Sequence, residues 1–319
     1  MTEKTLIAGI RRRALRSQNV ALGIGDDCAI LRIPRGHEVL VTTDFSLEGV
    51  HFRRDWHPPE VVGRRCLVRG LSDIAAMGGE PLAAFLSLAL PRTMRKNWAD
   101  RFLTGLLKLA REFDITLAGG DTAESGGKIL ADIVVTGSVP KGTAIRRDGA
   151  RPDDRIFVTG TLGGSAATLS LLYSGRKLRS KDFLEHFHPT PRVEVGRVLR
   201  EQKLVSSMID ISDGLSTDLM HICEESHVGA KIDASLIPRS KIGRPGREVD
   251  LKFALHGGDD YELLFTAPRR KQVPEQIAGV PITQIGTITD NRNMLIMSRR
   301  KAQPLRAKGW QHFGKTIDG

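Results

Sequence analysis

Residues 71–79 read Leu71-Ser72-Asp73-Ile74-Ala75-Ala76-Met77-Gly78-Gly79. They close a longer segment, 59–77, whose apolar residues recur at three- and four-residue spacing, the pattern of a helix with one buried face. The Gly78-Gly79 pair stops it as a helix C-terminus is stopped. Runs that read as strands flank it, 38–43 before and 82–90 after. A second amphipathic segment, 98–113, leads to strands at 115–118 and 129–139. Helix and strand alternate, which places the chain in the mixed α/β class.

A turn-rich stretch follows, Pro140-Lys141-Gly142-Thr143 and then Arg147-Asp148-Gly149-Ala150-Arg151-Pro152-Asp153-Asp154, and reads as a hinge. Beyond it the alternation resumes. Strand 155–159 is followed by helices 165–173 and 192–202, strand 208–211, helix 215–226, and strands 230–237, 261–266 and 281–289. A chain of 319 residues is long for one core. We divide it into an N-terminal α/β domain, 1–140, and a C-terminal α/β domain, 141–319.

Composition narrows the function. Hydrophobic residues at 40% and charged residues at 27% are those of a globular chain and exclude wholesale disorder. No uncharged apolar stretch approaches the roughly 18 residues that span a bilayer, so no membrane partner is expected. Arg11, Arg12 and Arg13 precede no apolar segment or cleavage site, and the chain reads as unprocessed and cytoplasmic. Cys28, Cys66 and Cys223 lie too far apart for a disulfide framework or a metal-spaced cluster, which suits a reducing compartment. The net charge of +11 raises nucleic acid as a partner. The basic residues are scattered, however, and aromatics make up only 5%, so no nucleic-acid partner is expected and the excess reads as solvated surface.

Acidic residues behave differently, because they recur in glycine, serine and threonine punctuation. Asp26 and Asp27 follow Gly23-Ile24-Gly25, and Thr42-Thr43-Asp44 closes a strand. Gly119-Gly120-Asp121 ends another. Asp210, Ser212 and Asp213 alternate before the 215–226 helix, and Asp259, Asp260 and Glu262 follow Gly257-Gly258. Asp213 or Ser212 alone reads as a helix N-cap, and Asp26-Asp27 alone as a turn. Asp73 fits such roles worst, because a carboxylate amid Ile, Leu, Ala and Met is costly to bury without compensation. Few Lys or Arg residues accompany these motifs. Hard divalent cations are the other compensation, and Mg²⁺ prefers carboxylate, hydroxyl and phosphate oxygen. Glycines beside the acids let a phosphate chain approach backbone N–H groups. The pattern describes metal ions bridging a polyphosphate. A literal P-loop pattern, Gly309 to Thr316, is filled with bulky side chains and is set aside. His186 and His188 read as a surface loop rather than a metal pair.

In this order the motifs resemble the thiamine-monophosphate kinases of the aminoimidazole-ribonucleotide-synthetase-like superfamily. The resemblance is carried by residues 23–29, 42–44, 71–78, 119–122, 158–166, 210–215 and 257–263. It implies a two-lobed α/β fold whose N-terminal lobe pairs in a homodimer and whose C-terminal lobe closes over nucleotide and substrate. It also implies phosphorylation of thiamine monophosphate to thiamine diphosphate by ATP. Asp27, Thr42, Thr43, Asp44, Asp73, Asp121, Asp210 and Asp213 would hold several Mg²⁺ ions. Gly120, Asp121, Arg147 and Ser212 would contact ATP. His51, Asp259 and Trp310 would contact thiamine monophosphate, and Asp44, Asp121 and Arg147 would carry catalysis. Asp259 stands where the family more often has Glu, and Thr42 where it often has Ser. The alternative enzyme is a purine-pathway synthetase of the same superfamily.

Overall fold

The computed structural model describes residues 3–14, 17–25, 27–298 and 301–310. Its contacts divide the chain into two units, Met1–Ala144 with Phe187–Val193, and Ile145–His186 with Glu194–Gly319.

Unit 1 runs α1 (Glu3–Arg13), β1 (Val20–Leu22), β2 (Ile30–Leu31), β3 (His37–Leu47), α2 (Pro59–Ala76), β4 (Glu80–Pro91), α3 (Lys96–Glu112), β5 (Thr116–Ser125) and β6 (Leu130–Pro140). Strands β1 and β2 form a small antiparallel pair. The main sheet has the order β3-β6-β4-β5. Only the β4–β5 pair is parallel, and α3 is its crossover. Helices α2 and α3 touch backbone to backbone. A Cβ at Gly63 would lie 1.9 Å from the Phe102 carbonyl oxygen, and one at Gly105 1.8 Å from that of Glu60. Leu67, Leu71, Phe102 and Leu106 are buried in this unit. The opposite side of β3 exposes Val39, Val41 and Phe45, the valine at 41 by 67%.

Unit 2 contains β7 (Arg155–Thr159), α4 (Gly164–Tyr173), α5 (Leu184–Phe187), α6 (Val193–Glu201), β8 (Ser207–Asp210), α7 (Leu215–Ser226) and β9 (Gly229–Asp233). It continues with β10 (Lys241–Ile242), β11 (Arg247–Glu248), α8 (Leu251–His256), β12 (Leu263–Ala267), β13 (Gln276–Ile277), β14 (Val280–Thr289), β15 (Met294–Ser298) and β16 (Lys301–Pro304). Its sheet has the order β16-β15-β9-β14-β7-β12-β8, with β13 paired to β14. Ile156, Val158, Ile209, Leu219, Ile222, Ile232 and Leu264 belong to one core cluster that joins the sheet to α7.

Three local expectations change. The strand expected at 115–118 continues to Ser125, so Gly119, Gly120 and Asp121 lie within β5 and pair with β4. The last strand before the C-terminal hairpins starts at Leu263, because Asp259 and Tyr261 take left-handed backbone at φ 62° and 54°, which no strand accommodates. His186 is 2% exposed and bonds the Ser165 hydroxyl at 3.0 Å, because the expected loop is the helical turn α5. No helix of the described residues is long and apolar enough to cross a membrane.

Candidate active site

Strand β3 is an edge strand, and alternation sends Thr42 and Asp44 to one face and Thr43 and Phe45 to the other. On the first face the Thr42 hydroxyl donates to Asp73 of α2. Asp44 lies beside the same carboxylate. Burial, then the charge and hydrogen bond of Asp73, push its carboxyl up to about 7, with Arg69 as the opposing cation. Asp73 therefore lies among other acids. On the other face the Thr43 hydroxyl donates to Asp132 Oδ1 at 2.8 Å. Asp132 and Arg69 escaped the sequence reading. The signal for Asp132 was there, an acid between Ala131 and Ile133 in an otherwise apolar strand.

At the opposite edge of the sheet, Asp27, Gly120 and Asp121 line one cavity of about 570 Å³. Only glycine fits at 120, where φ is +141° and a Cβ would lie 1.9 Å from the Leu86 carbonyl oxygen. The Asp121 carboxylate accepts the Thr122 N–H at 2.8 Å. Asp26 lies outside the described residues. Within one chain Asp44 and Asp121 are not brought together. The row containing Asp44 runs Ile133, Leu86, Gly120 across three strand spacings, about 14 Å.

Unit 2 gathers a second group at the start of α7. Asp210 ends β8 and is 3% exposed, and Ser212 and Asp213 follow it. Neither caps the helix, because Gly214 holds the N-cap position without a side-chain bond. Asp218, a turn further on, accepts the N–H groups of Gly214 at 2.9 Å and Asp213 at 3.2 Å. Burial, then the charges of Asp210 and Asp213, hold its carboxyl well above the usual range, against the pull of those two N–H bonds. Asp213, Asp218 and His221 offer ligand atoms within 4.8 Å of one another. Asp218 and His221 also escaped the sequence reading, since their helical spacing looks like an ordinary solvated face.

Comparison with known proteins fits this arrangement. Residues 25–139 match the family "AIR synthase related protein, N-terminal domain", and residues 151–297 match "AIR synthase related protein, C-terminal domain". Thiamine-monophosphate kinase of Escherichia coli K12 is 39% identical, with 98% of each chain covered. That of Bacillus subtilis is 35% identical over 98% of this chain and 100% of its own. The chain belongs to the thiamine-monophosphate kinase family.

Solved structures agree with that membership. Thiamine-monophosphate kinase of Stenotrophomonas maltophilia superposes with a TM-score of 0.80 at 35% identity, covering 94% of this chain and 98% of its own. A structure described as "AaThiL complexed with AMPPCP and TMP" gives 0.78 at 32% identity, covering 98% and 97%. Hydrogenase maturation protein HypE shares the fold, at 17% identity. As a member of the thiamine-monophosphate kinase family the chain is an enzyme, a phosphotransferase.

The remaining expected residues are distributed unevenly in this kinase. Asp259 is held by its N–H to the Ser212 carbonyl at 2.8 Å, and the Tyr261 hydroxyl donates to its carboxylate at 2.5 Å. The Trp310 N–H donates to the Asp213 carbonyl at 3.1 Å, so Ser212, Asp213, Asp259 and Trp310 share one place. His51 sits in the turn after β3, where the Leu47 N–H donates to its Nδ1 at 2.9 Å. The backbone of Arg147 lies by the far end of α7 from Ser212. Its carbonyl accepts from Ser226, the last residue of α7, roughly 18 Å along a 12-residue helix from the end that carries Asp213.

Proposed function

We propose that the chain transfers the terminal phosphoryl group of ATP to thiamine monophosphate, as a homodimer, with Mg²⁺ at its acidic groups. The observation that carries this is the pairing of Asp44 with Asp73. Burial, then the charge and hydrogen bond of the neighbouring Asp73, hold Asp44 near 7 against the pull of Arg69. Adjacent carboxylates, with threonine hydroxyls as neighbours, fit a hard cation that takes oxygen ligands. Thr42, Thr43, Asp44, Asp73 and Asp132 in unit 1, and Asp210, Asp213 and Asp218 in unit 2, supply those donors. Asp27 and Asp121 extend the set beside the glycine edge. When bound, Mg²⁺ screens phosphate charge and orients the phosphate oxygens.

The protein's own task is placement. The acceptor is already a phosphate monoester whose oxygen is anionic at neutral pH, so no strong general base is needed. In this reading its oxygen attacks the terminal phosphorus of ATP, and the bond to the ADP oxygen breaks in the same step. Direct transfer then leaves nothing bound covalently to the enzyme. Asp259 and Trp310, fixed beside Ser212 and Asp213, suit the cationic ring of the acceptor, the indole offering its face. His51 accepts the Leu47 N–H at Nδ1, which favours the tautomer with the ring proton on Nε2. Arg147 and Ser212, at opposite ends of α7, would meet different parts of an extended nucleotide.

Two observations support the homodimer. Val39, Val41 and Phe45 form an exposed apolar strip on an edge strand. Asp44 and Asp121 lie on opposite edges of a four-stranded sheet, too far apart to share an ion whose oxygens sit about 2.1 Å away. A second copy that lays its β3 edge against β5 of the first covers the strip and brings one copy's Asp44 to the other's Asp121. Buried free thiols at Cys66 and Cys223 suit a cytoplasmic location. The test of function is incubation with Mg-ATP and thiamine monophosphate. Thiamine diphosphate and ADP in equal amounts are expected. ADP release only with formylglycinamidine ribonucleotide would overturn the reading in favour of the purine-pathway alternative.

A further inference from the structure

Three acids stand between α8 and β12, Asp259, Asp260 and Glu262. Two of them hold the protein's own frame. Asp260 accepts the N–H groups of Gly163, at 2.8 Å, and of Ser165 at the start of α4. Glu262 is 4% exposed and accepts the Thr159 hydroxyl at 2.6 Å. Asp259 differs, because its partner is a phenol two residues along. The Tyr261 hydroxyl lies 2.5 Å from its Oδ1, and Tyr261 itself is 1% exposed while Asp259 is only partly buried. A side chain rooted in the core thus ends on a carboxylate at the surface of the site.

The backbone shows how firmly that arrangement is set. Asp259 and Tyr261 both take left-handed backbone, at φ 62° and 54°, which residues other than glycine seldom adopt and keep only where their surroundings enforce it. Here the surroundings are residues 211 and 212. The Ser212 carbonyl accepts the Asp259 N–H at 2.8 Å, the Ile211 carbonyl accepts the Tyr261 N–H at 2.9 Å, and the Ile211 N–H donates to the Glu262 carbonyl at 2.7 Å. One residue further, the Asp213 carbonyl holds the Trp310 N–H. What these backbone bonds leave undetermined is the rotation of the Asp259 carboxylate, and the phenol determines it. A hydroxyl–carboxylate bond is among the short, strong ones, and a closely packed ring cannot follow a carboxylate that turns away. A binding group fixed before its ligand arrives loses less freedom on binding. We infer that Tyr261 is a positioning residue for the acceptor: without touching it, its hydroxyl sets the Asp259 carboxylate in the orientation that meets the cationic ring of thiamine monophosphate. This deepens the acceptor reading above and rests on it.

The test is calorimetric binding of thiamine monophosphate and of Mg-ATP, with steady-state kinetics, for wild type, Tyr261→Phe, Asp259→Ala and the double variant. Tyr261→Phe keeps the ring. It should weaken thiamine monophosphate and raise its KM roughly two- to tenfold, while kcat, the KM for ATP and Mg-ATP affinity stay as in wild type. Asp259→Ala should weaken the acceptor more. In that background Tyr261→Phe should cost nothing further, since the hydroxyl acts through the missing carboxylate. Unchanged acceptor binding in Tyr261→Phe, or an equal loss with and without Asp259, overturns the positioning role. So does a loss shared with Mg-ATP, which is what a general loosening of the fold produces. Asp259→Ala that binds thiamine monophosphate as wild type does would instead overturn the acceptor contact beneath it.

Discussion

Among single residues, Asp44 is the most perturbed acid of the β3 group. Its carboxyl titrates near 7 in the folded chain against an ordinary value of 3.8. Between those values the folded state keeps a proton that the unfolded state has released. Metal-free protein should therefore lose stability as pH rises from about 4 to about 7, and level off above that. Thermal melts across that range in chelator should show this slope in wild type and a smaller one in Asp44→Asn. Added Mg²⁺ should raise the wild-type melting temperature at about pH 8 by mass action, and raise that of the variant less. Equal gains in both proteins would remove Asp44 from the metal site. In turnover, Asp44→Ala should lose more than the roughly 10–100-fold that removal of an outer-shell partner costs, in a protein that remains folded. Activity near wild type would refute the assignment. The acid at 44 was legible in the sequence because it follows two hydroxyls at the end of a strand, and that at 73 because a charge in an apolar setting needs compensation. Asp132 carried the same signal and was passed over. Asp218 and His221 had none, since in a helix their spacing is indistinguishable from solvated surface.

Among the elements, the segment around Asp73 was the most legible, because an 18-residue helix repeats its pattern enough to be read. What the pattern could not reveal is how closely α2 and α3 approach. That depends on Gly63 and Gly105, which read only as weak positions in a helix. Gly105→Ala places a methyl group 1.8 Å from the Glu60 carbonyl oxygen. It should destabilise the protein by at least about 1–3 kcal/mol, the usual range for overpacking. A denaturant melt unchanged from wild type would contradict that contact. The extension of β5 to Ser125 was hidden for a related reason. Glycines at 119 and 120 look like the end of a strand, yet at 120 the glycine is what lets the strand continue close beside Leu86.

For the whole molecule, the α/β class and the family were legible because ordered motifs span nearly the entire chain. The joining of distant acids was not, because register and strand order decide it. With Asp44 and Asp121 on opposite edges of one sheet, each site of the proposed two-fold dimer takes one of them from each copy. Val41→Asp should then yield monomers in sedimentation experiments and lose activity with the interface. Purified Asp44→Ala and Asp121→Ala proteins, each inactive alone, provide the most direct test when they are mixed and allowed to exchange subunits. Half of the dimers become mixed and each of these holds one intact site, so activity should return to about a quarter of wild type. A mixture that stays as inactive as its components would contradict the shared site.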